Sequence, residues 1–545
     1  SEKNIEPVLS LGGEFLSRVT GFDLNLSLVY RGRETVSTFS ARGTNDLISR
    51  TIDEVNAFIA RKTGGLAGAI SGSRTFAQIC TGNADALVHF LKGDQAWAKL
   101  DSEAAYAEFK TAVEIDPAFS LVRLKLAEVQ IFRGDRAEAR AELRAADQNK
   151  ASLISYDLLR LNALLARLDS KPSEEREYLR RLVEAFPLNR EYQYEFAESY
   201  FHAGDGAEAA KGYIKALEID PAYALAHNHL AFCYSWNGDH AQAEKHFRRY
   251  VELDNTANSY DSLASGYMFA GRYGQAVEAC ERGLALDHKL YYLFSTKATN
   301  LMLQGRLSLA EDALAQEVKS DARESTRLGA RFNSAFIEYL RGNLRNADNA
   351  LISLRDAYSA PSYGDQLDDT SNLPFWLAGV IAARQKNAAR LRDMIAVLDK
   401  KIADKGVNVT NYSPILKFDV HLKALQAALD RKPEDASRFI EEGERLKYKM
   451  GYWSSPYNLA FFLDEFAVTL MNLGQTAKAR DLFNQVLVYN PNCAAAHTHL
   501  AVLLELNKDL PAARAEAGTA RSLLAGADPD YGLLQELEAL ERRLK

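Results

Sequence analysis

Apolar residues recur along most of the chain at helical spacing, and short polar turns separate the helical segments. Several segments carry a small residue three places before a tyrosine, as in Ala197 and Tyr200 or Ala231 and Tyr234. The segment after each turn then brings a bulky residue such as Tyr213. This pattern predicts helices that pack in pairs, with small residues at the close approach and bulky ones filling the groove to the next pair.

The turns share a glycine that is followed five residues later by an alanine. From Gly204 onward, successive glycines of this kind lie 34, 33, 34 and 37 residues apart. Several second helices end in Asp-Pro or Asn-Pro, as at Asp220-Pro221, because proline stops a helix and pushes the residue before it out of the α region. The seven pairs are Gly134/Ala139, Gly204/Ala209, Gly238/Ala243, Gly271/Ala276, Gly305/Ala310, Gly342/Ala347 and Gly474/Ala479.

This repeat resembles the tetratricopeptide repeat (TPR), a helix-turn-helix unit of about 34 residues. The resemblance covers roughly residues 81–357 and 458–525. It implies a mostly α fold, a right-handed TPR α-solenoid of about ten to twelve helix pairs. We expect the turn glycines to take a positive φ, and the last segment, Gly532 to Lys545, to form a charged capping helix.

The first eighty residues follow a different pattern. Phe22–Tyr30 alternates apolar and polar residues, which predicts a half-buried strand, and Glu34–Ala41 predicts a second strand after a short turn. Val8–Val19 predicts an earlier strand, and Thr44–Arg61 predicts an amphipathic helix. These elements indicate a small α/β domain.

A small α/β module followed by TPRs is similar to the sensor regions of bacterial membrane-anchored serine/threonine kinases, adenylate cyclases and winged-helix regulators. This second resemblance covers about residues 8–120. The chain contains no kinase, cyclase or DNA-binding part, so the resemblance implies no catalytic activity for it. It slightly favours an extracytoplasmic or periplasmic location over a cytoplasmic one. Whether a catalytic domain or an anchor has been removed stays open.

The residues between the two clear arrays lack the glycine–alanine mark, although helical periodicity returns in about 375–403 and 416–447. We interpret them as degenerate repeats with long connections; the alternative is a hinge that splits the solenoid into two arms. The predicted division is therefore 1–80, a small α/β domain; 81–358, a TPR array; 359–457, degenerate helical repeats with long loops; and 458–545, C-terminal TPRs with a capping helix.

Composition removes several classes of function. A net charge of −7 in 545 residues gives no clustered basic surface for a nucleic acid. No run of about eighteen apolar residues is long enough to span a membrane. The four cysteines lie too far apart in sequence for a CxxC metal or redox site and are expected to be structural: Cys80, Cys233, Cys280 and Cys493.

Two candidate motifs do not carry the chemistry that they suggest. The glycine-rich segment 64–72 has no following lysine and comes after a helix, so it predicts a flexible linker rather than a phosphate loop. The pairs His227/His229 and His497/His499 occupy the same place in their repeats. Residues two apart on a helix point about 200° apart, so neither pair can hold one metal ion. We expect no cofactor, no metal and no catalytic residue.

The concave face of the solenoid, which the first helix of each unit lines, is the predicted binding surface. Exposed aromatic residues beside polar groups serve interfaces as anchors. The alternative is that residues such as Phe201 and Trp236 only pack against the next helix. We expect a neutral or basic protein segment rather than a peptide carboxylate. The predicted residues are Tyr194, Glu198, Phe201, Asn228, Phe232, Trp236, Asp261, Ser265 and Met268.

Three hypotheses on function follow. The first is a non-catalytic scaffold or sensor region that binds a protein or an extended peptide in bacterial signalling or complex assembly. The second is the regulatory extracytoplasmic part of a transmembrane serine/threonine kinase or cyclase. The third is a constitutive structural subunit of a large complex. The sequence leaves the partner, the pathway and the oligomeric state open.

Overall fold

A computed structural model describes residues 9–18, 21–30, 33–42, 50, 53–55, 57, 80–98, 101–169, 171–321, 323–358, 371–404, 414–446 and 459–545. The chain forms two compact units, Ser1–Pro187 and Leu188–Lys545. The boundary after Pro187 falls inside the segment 81–358, which the sequence predicts as one TPR array. The predicted four-part division stays a prediction. Each unit is described by itself.

The first unit begins with a three-stranded antiparallel sheet in the order β1-β2-β3. The strands are β1 (Leu9–Arg18), β2 (Gly21–Tyr30) and β3 (Arg33–Ala41). Arg18 pairs with Gly21 and Tyr30 with Arg33, so only two residues of the chain separate each strand from the next. The three predicted strands are thus confirmed. Most of the predicted helix 44–61 and the whole glycine-rich segment 64–72 lie outside the described residues.

In the described residues 80–187, six α-helices follow the sheet in three consecutive pairs. Burial of one face of each helix against its partner and its neighbours supplies the main stabilisation, as in other repeat folds. The helices are α1 (Ala84–Ala98), α2 (Ser102–Ile115), α3 (Ser120–Arg133), α4 (Arg136–Gln148), α5 (Ser155–Leu168) and α6 (Pro172–Ala185).

The second unit continues the same pattern, so the described residues contain twelve helix pairs and a final single helix, which confirms the predicted solenoid. Its helices are α7 (Arg190–Phe201), α8 (Gly206–Ile219), α9 (Ala224–Trp236), α10 (His240–Leu253), α11 (Ala257–Phe269), α12 (Tyr273–Leu286), α13 (Tyr292–Leu303), α14 (Leu307–Ser320), α15 (Glu324–Leu340), α16 (Leu344–Tyr358), α17 (Leu373–Arg384), α18 (Ala388–Asp404), α19 (Pro414–Leu429), α20 (Pro433–Arg445), α21 (Leu459–Asn472), α22 (Thr476–Tyr489), α23 (Ala494–Leu506), α24 (Leu510–Leu523) and α25 (Gly532–Leu544).

The turn inside each pair explains the glycine mark. All seven marked glycines have a positive φ, between 68° at Gly271 and 87° at Gly134, as predicted. The following N–H then bonds back into the first helix, as Asp205 N–H does to Tyr200 O at 2.9 Å. The two helices of a pair approach closely: a Cβ on Gly212 would lie only 2.7 Å from the Cβ of Ala197.

The region without the mark also forms helix pairs, α17/α18 and α19/α20. Lys386 and Arg431 take the positive φ that glycine has elsewhere, at 57° and 55°, and Lys508 does the same between α23 and α24 at 63°. The turn geometry is therefore kept although the glycine is absent. The connections 359–370, 405–413 and 447–458, where the sequence predicts long loops, lie outside the described residues.

First helices from separate pairs converge in the core of the second unit. The rings of Phe336 in α15 and Phe461 in α21 lie 6.2 Å apart, and Trp376 in α17 lies 5.9 Å from Phe461. Trp376 Nε1 also donates to His421 Nδ1 of α19 at 3.0 Å. Side chains of the chain itself therefore fill the inner side of α15, α17, α19 and α21.

The final helix α25 closes the core with four buried leucines, Leu534, Leu537, Leu540 and Leu544. Its charged residues pair with the preceding helices: Glu541 with Arg521 at 2.5 Å and Arg543 with Glu505 at 2.7 Å. Within the described residues, no helix combines the length and the apolar character that crossing a bilayer requires.

Candidate functional site

The nine residues predicted for the concave face lie on α7, α9 and α11, the first helices of three consecutive pairs. The repeat spacing places corresponding residues on the same side of each helix, so the structure brings them into one strip. Six of them are less than a tenth exposed: Glu198, Phe201, Asn228, Phe232, Ser265 and Met268. Tyr194, Trp236 and Asp261 are half-buried.

Four rings of this strip form a column that links α7 to α9. Phe201 lies between His229, at 4.9 Å and 3°, and Trp236, at 4.6 Å and 23°. Tyr194 stacks on the other side of His229 at 5.5 Å. Neighbouring rings therefore cover most of the surface of Phe201. This agrees with the alternative interpretation of the sequence, that Phe201 packs against the next helix.

Glu198 is the polar centre of the column. Its carboxylate accepts the hydroxyl hydrogen of Tyr213 and pairs with Nδ1 of His229, and His202 Nε2 lies 3.3 Å away. Burial raises the pKa of Glu198, but the two histidines outweigh that effect and hold its pKa well below the ordinary value. The charged carboxylate thus ties together α7, α8 and α9, which is a positioning task.

The same kind of contact joins other neighbouring first helices. His499 of α23 pairs with Asp464 of α21 at 2.9 Å. Thr296 of α13 donates to Asp261 of α11 at 2.7 Å, and burial raises the pKa of Asp261 to about 6. Polar contacts between first helices are therefore a recurring device of this chain, and Glu198 and Asp261 both serve it.

The two histidines of each HxH pair have separate partners. His227 Nε2 lies 3.1 Å from Pro221 O, and His497 Nε2 lies 3.0 Å from Pro491 O. Each of these histidines therefore contacts the loop that precedes its own helix. His229 and His499 instead pair with the carboxylates of the previous first helix. Among the described residues, no three metal-ligating side chains are grouped to hold an ion.

All four cysteines are free thiols. Burial raises the pKa of Cys80 and of Cys493 to about 12 and raises the pKa of Cys233 and Cys280 still further. The thiols are therefore protonated at neutral pH and poor nucleophiles.

His202 is a residue of this site that the sequence reasoning missed. Its side chain is half exposed, and it follows Phe201 at the end of α7. The repeat register aligns His202 with Trp236 and with Phe269, at spacings of 34 and 33 residues. That register could have identified it, whereas the prediction chose the buried Phe201. We call the accessible set Tyr194, His202, Trp236 and Phe269 the inner rim.

Comparison with known proteins bears on this geometry. Models described as "Tetratricopeptide repeat" match residues 171–224 and 465–529, and a second such model matches 200–265. The matched segments are built from the helix pairs and positive-φ turns described above. The fold is a TPR α-solenoid.

One curated relative is the small glutamine-rich tetratricopeptide repeat-containing protein 2 of Mycosarcoma maydis. It is 26% identical over 125 residues, which are 23% of this chain and 33% of the relative. The chain thus spans about a third of the length of the curated relative that it matches.

Solved TPR structures are also similar, at low identity. A tetratricopeptide repeat protein from Parabacteroides merdae is 13% identical with a TM-score of 0.37, covering 52% of this chain and 98% of its own. The APC/C hetero-tetramer Cut9-Hcn1 is 14% identical with a TM-score of 0.34, covering 83% and 96%.

Proposed function

We propose that this TPR chain is a non-catalytic scaffold that binds a protein segment along the inner rim. The observation that carries the proposal is a set of side chains on α7 and α9 that keep solvent-exposed surface: the half-buried Tyr194 and Trp236 and the exposed His202. Each is held from behind by a buried contact. Rigid aromatic residues lose little side-chain entropy on binding, which suits them as anchors.

The predicted residues divide into two roles under this proposal. Tyr194 and Trp236 touch the partner. Phe201 and Glu198 position them, because Phe201 stacks on Trp236 and Glu198 fixes the histidine on which Tyr194 stacks. The side chains that are less than a tenth exposed offer almost no area to a partner in this conformation.

Charge favours a neutral or basic segment as the partner. Glu198 stays ionised, and the same helix carries the half-buried Glu195 and the exposed Glu191, which pairs with Arg190 at 2.9 Å. An acidic segment would meet like charges along α7, and like charges across an interface cost binding free energy.

Affinity capture with matched variants tests the proposal. One variant carries Tyr194→Ala, His202→Ala and Trp236→Ala; its control carries Lys215→Ala, Glu218→Ala and Lys245→Ala, three exposed residues of α8 and α10. Circular dichroism verifies that both fold. A partner retained by the control and lost by the rim variant supports the proposal. A partner retained equally by both excludes the rim.

The setting that we propose is bacterial signalling or complex assembly, with an extracytoplasmic location. The small strand-rich module ahead of the TPRs supports this setting through its resemblance to kinase and cyclase sensor regions. The reading frame of the full gene tests it: a kinase or cyclase domain joined to this chain by a membrane span would support the receptor setting, and a chain that is complete without either would exclude it.

A further inference from the structure

One side-chain contact recurs inside several helix pairs of this chain. A residue of the first helix reaches the residue 19 places later, which lies in the second helix of the same pair. In three pairs the contact joins a base on the first helix to a glutamate on the second. These pairs are His89–Glu108 at 2.6 Å, Arg123–Glu142 at 2.5 Å and His497–Glu516 at 2.5 Å.

The pair α9/α10 is built in the same way, but its second helix has a histidine at this position. His227 Nδ1 of α9 lies 2.7 Å from His246 Nδ1 of α10, and the two ring centroids are 5.0 Å apart. His227 Nε2 lies 3.1 Å from Pro221 O, just as Arg123 Nε donates to Pro117 O at 3.0 Å. His227 thus keeps both contacts of its counterparts, and His246 stands where the other pairs have a glutamate.

The hydrogen bonds fix where the protons of the two rings lie at neutral pH. A carbonyl oxygen only accepts, so His227 Nε2 carries a hydrogen. The neutral His227 ring then has a bare Nδ1, and the hydrogen between the two rings belongs to His246 Nδ1. A further proton makes one ring a cation whose neighbour is another imidazole. In a histidine–glutamate pair the same proton completes an ion pair instead.

The charged groups around the two histidines do not replace the missing carboxylate. Asp220, in the loop before α9, already pairs with Arg190. Lys245 and Arg249 of α10 add positive charge close to the two rings, although Arg249 also pairs with Glu252 at 3.0 Å. A cation on either ring therefore meets positive neighbours on its own helix pair.

Acid acts on this contact with a defined sign. Burial is the main cause that lowers the pKa of His227. Burial, with smaller contributions from His227 and Lys245, lowers the pKa of His246 to about 4. Because both pKa values are depressed in the folded state, the contribution of the two rings to stability is intact above about pH 6.5. That contribution is lost as the pH falls toward 4.

The contact also lies close to the inner rim along α9. Tyr234 of α9 stacks on His246, with ring centroids 5.6 Å apart. Trp236, two residues after Tyr234, belongs to the inner rim and stacks on Phe201. His229 of the same helix stacks on the other face of Phe201. The aromatic column therefore rests on the helix that this contact holds against α10.

We propose that the contact between His227 and His246 is an acid-sensitive switch, in which protonation of the two rings weakens the hold of α10 on α9 and so loosens the inner rim. Control of partner binding by this loosening rests on the proposed function. The acid response of the α9/α10 pair does not, and the experiment measures it without a partner.

Hydrogen exchange of the full chain, followed by peptide mass spectrometry at pH 7 and pH 4.5, tests the switch. Rates are corrected for the effect of pH on exchange of an unstructured peptide. The reporter is α10, and the reference is α24, in which Glu516 holds the position of His246. His246→Glu gives α10 the carboxylate of the other pairs. His288→Glu, the same change at an exposed position outside both helices, is the matched control.

The switch predicts that acid lowers the protection of α10 relative to α24 about fivefold or more in the native chain and in His288→Glu. In His246→Glu the relative loss should be less than about twofold. An equal loss in His246→Glu, or no relative loss in the native chain, would overturn the switch. Circular dichroism at pH 7 verifies folding. If His246→Glu does not fold, His227→Arg combined with His246→Glu, which copies Arg123 and Glu142, takes its place with the same expected results.

A second measurement tests the link to the rim. The difference in emission between a chain with Trp236 and its Trp236→Phe counterpart isolates the fluorescence of Trp236. Between pH 7 and pH 4.5 this emission should shift to longer wavelength in the native chain and stay unchanged in His246→Glu. No shift in either chain, or an equal shift in both, would overturn the loosening of the rim. Both measurements are made without a partner, so their failure is distinct from a failure of the proposed function.

Discussion

The carboxylate of Asp528 accepts hydrogen bonds from both the backbone N–H and the hydroxyl of Ser308, which lies 220 residues earlier in the chain. Ser308 is in the first turn of α14, so the carboxylate caps that helix from a distant loop. One residue therefore both stabilises a helix terminus and closes the second unit.

Asp528→Ala should lower the free energy of unfolding of the second unit by roughly 1–3 kcal/mol, because two hydrogen bonds to a charged group are lost. Urea unfolding followed by circular dichroism measures it. Asp312→Ala, an exposed carboxylate of the same helix α14, is the control and should change the midpoint little. Equal effects of the two substitutions would contradict the role of Asp528.

Two turn glycines should differ in their tolerance of alanine. Gly305 and Gly474 have nearly the same φ, 72° and 77°, so the strain of a side chain in the left-handed region, roughly 1–2 kcal/mol, is shared. Only Gly305→Ala also forces a Cβ against Tyr531 and Ala527. We expect it to cost roughly a further 1–3 kcal/mol. Thermal unfolding of both variants measures the difference, and similar melting temperatures would contradict the close packing of Tyr531 and Ala527 against the Gly305 turn.

Glu317→Gln should stabilise the protein above acidic pH. Burial, with a smaller contribution from the nearby Asp321, raises the pKa of Glu317 to about 8. Because the pKa is raised in the folded state, the contribution of the Glu317 carboxyl to the free energy of unfolding is intact below about pH 4.5. That contribution is lost as the pH rises toward 8. Because a glutamine amide does not ionise, Glu317→Gln should raise the free energy of unfolding by about 1–3 kcal/mol at pH 8.

Urea midpoints of the native chain, Glu317→Gln and the exposed control Asp312→Asn, taken at pH 4.5 and pH 8, measure the effect. The gain from Glu317→Gln should be present at pH 8 and small at pH 4.5. A gain that is the same at both pH values would mean that the carboxyl does not titrate in this range.

His421 should make the native state sensitive to acid. Burial, with smaller contributions from Arg384 and Lys417, lowers the pKa of His421 to about 3, while Trp376 donates to its Nδ1. A depressed folded-state pKa means that its contribution is present above about pH 6.5 and is lost as the pH falls toward 3. His421→Gln should make the free energy of unfolding depend less on pH between pH 6 and pH 4 than it does in the native chain. Parallel pH profiles would exclude His421 as a source of acid sensitivity.

The local turn chemistry explains what the sequence could predict. A glycine such as Gly204 marks a helix turn because it takes a positive φ without strain, so the repeat was visible. Lys386 and Arg431 take the same conformation, but neither residue type marks a turn in the sequence. The pairs around them were therefore predicted only as degenerate repeats. The helical periodicity of the apolar residues still predicted the helices there, because that periodicity reflects burial of one helix face rather than the presence of one particular residue.

The site was harder to predict, because helical periodicity gives the side of a helix and not what covers it. Phe201 and Met268 were predicted to line the concave face, and neighbouring side chains bury both. The contact between Tyr273 and Asn490 could not be predicted, since ten described helices, α13 to α22, separate the two residues along the chain and set their relative positions. Contacts of this range follow from accumulated packing geometry and leave no local pattern.

Site-specific photo-crosslinking tests the central claim, that the inner rim binds a protein segment. A photoreactive phenylalanine derivative replaces His202 on the rim in one chain and Lys215 on the exposed face of α8 in the other. We predict a defined crosslinked partner from position 202 that is absent from position 215 and is competed by excess native chain. The same partner from both positions, or a defined partner from position 215 alone, would contradict the account.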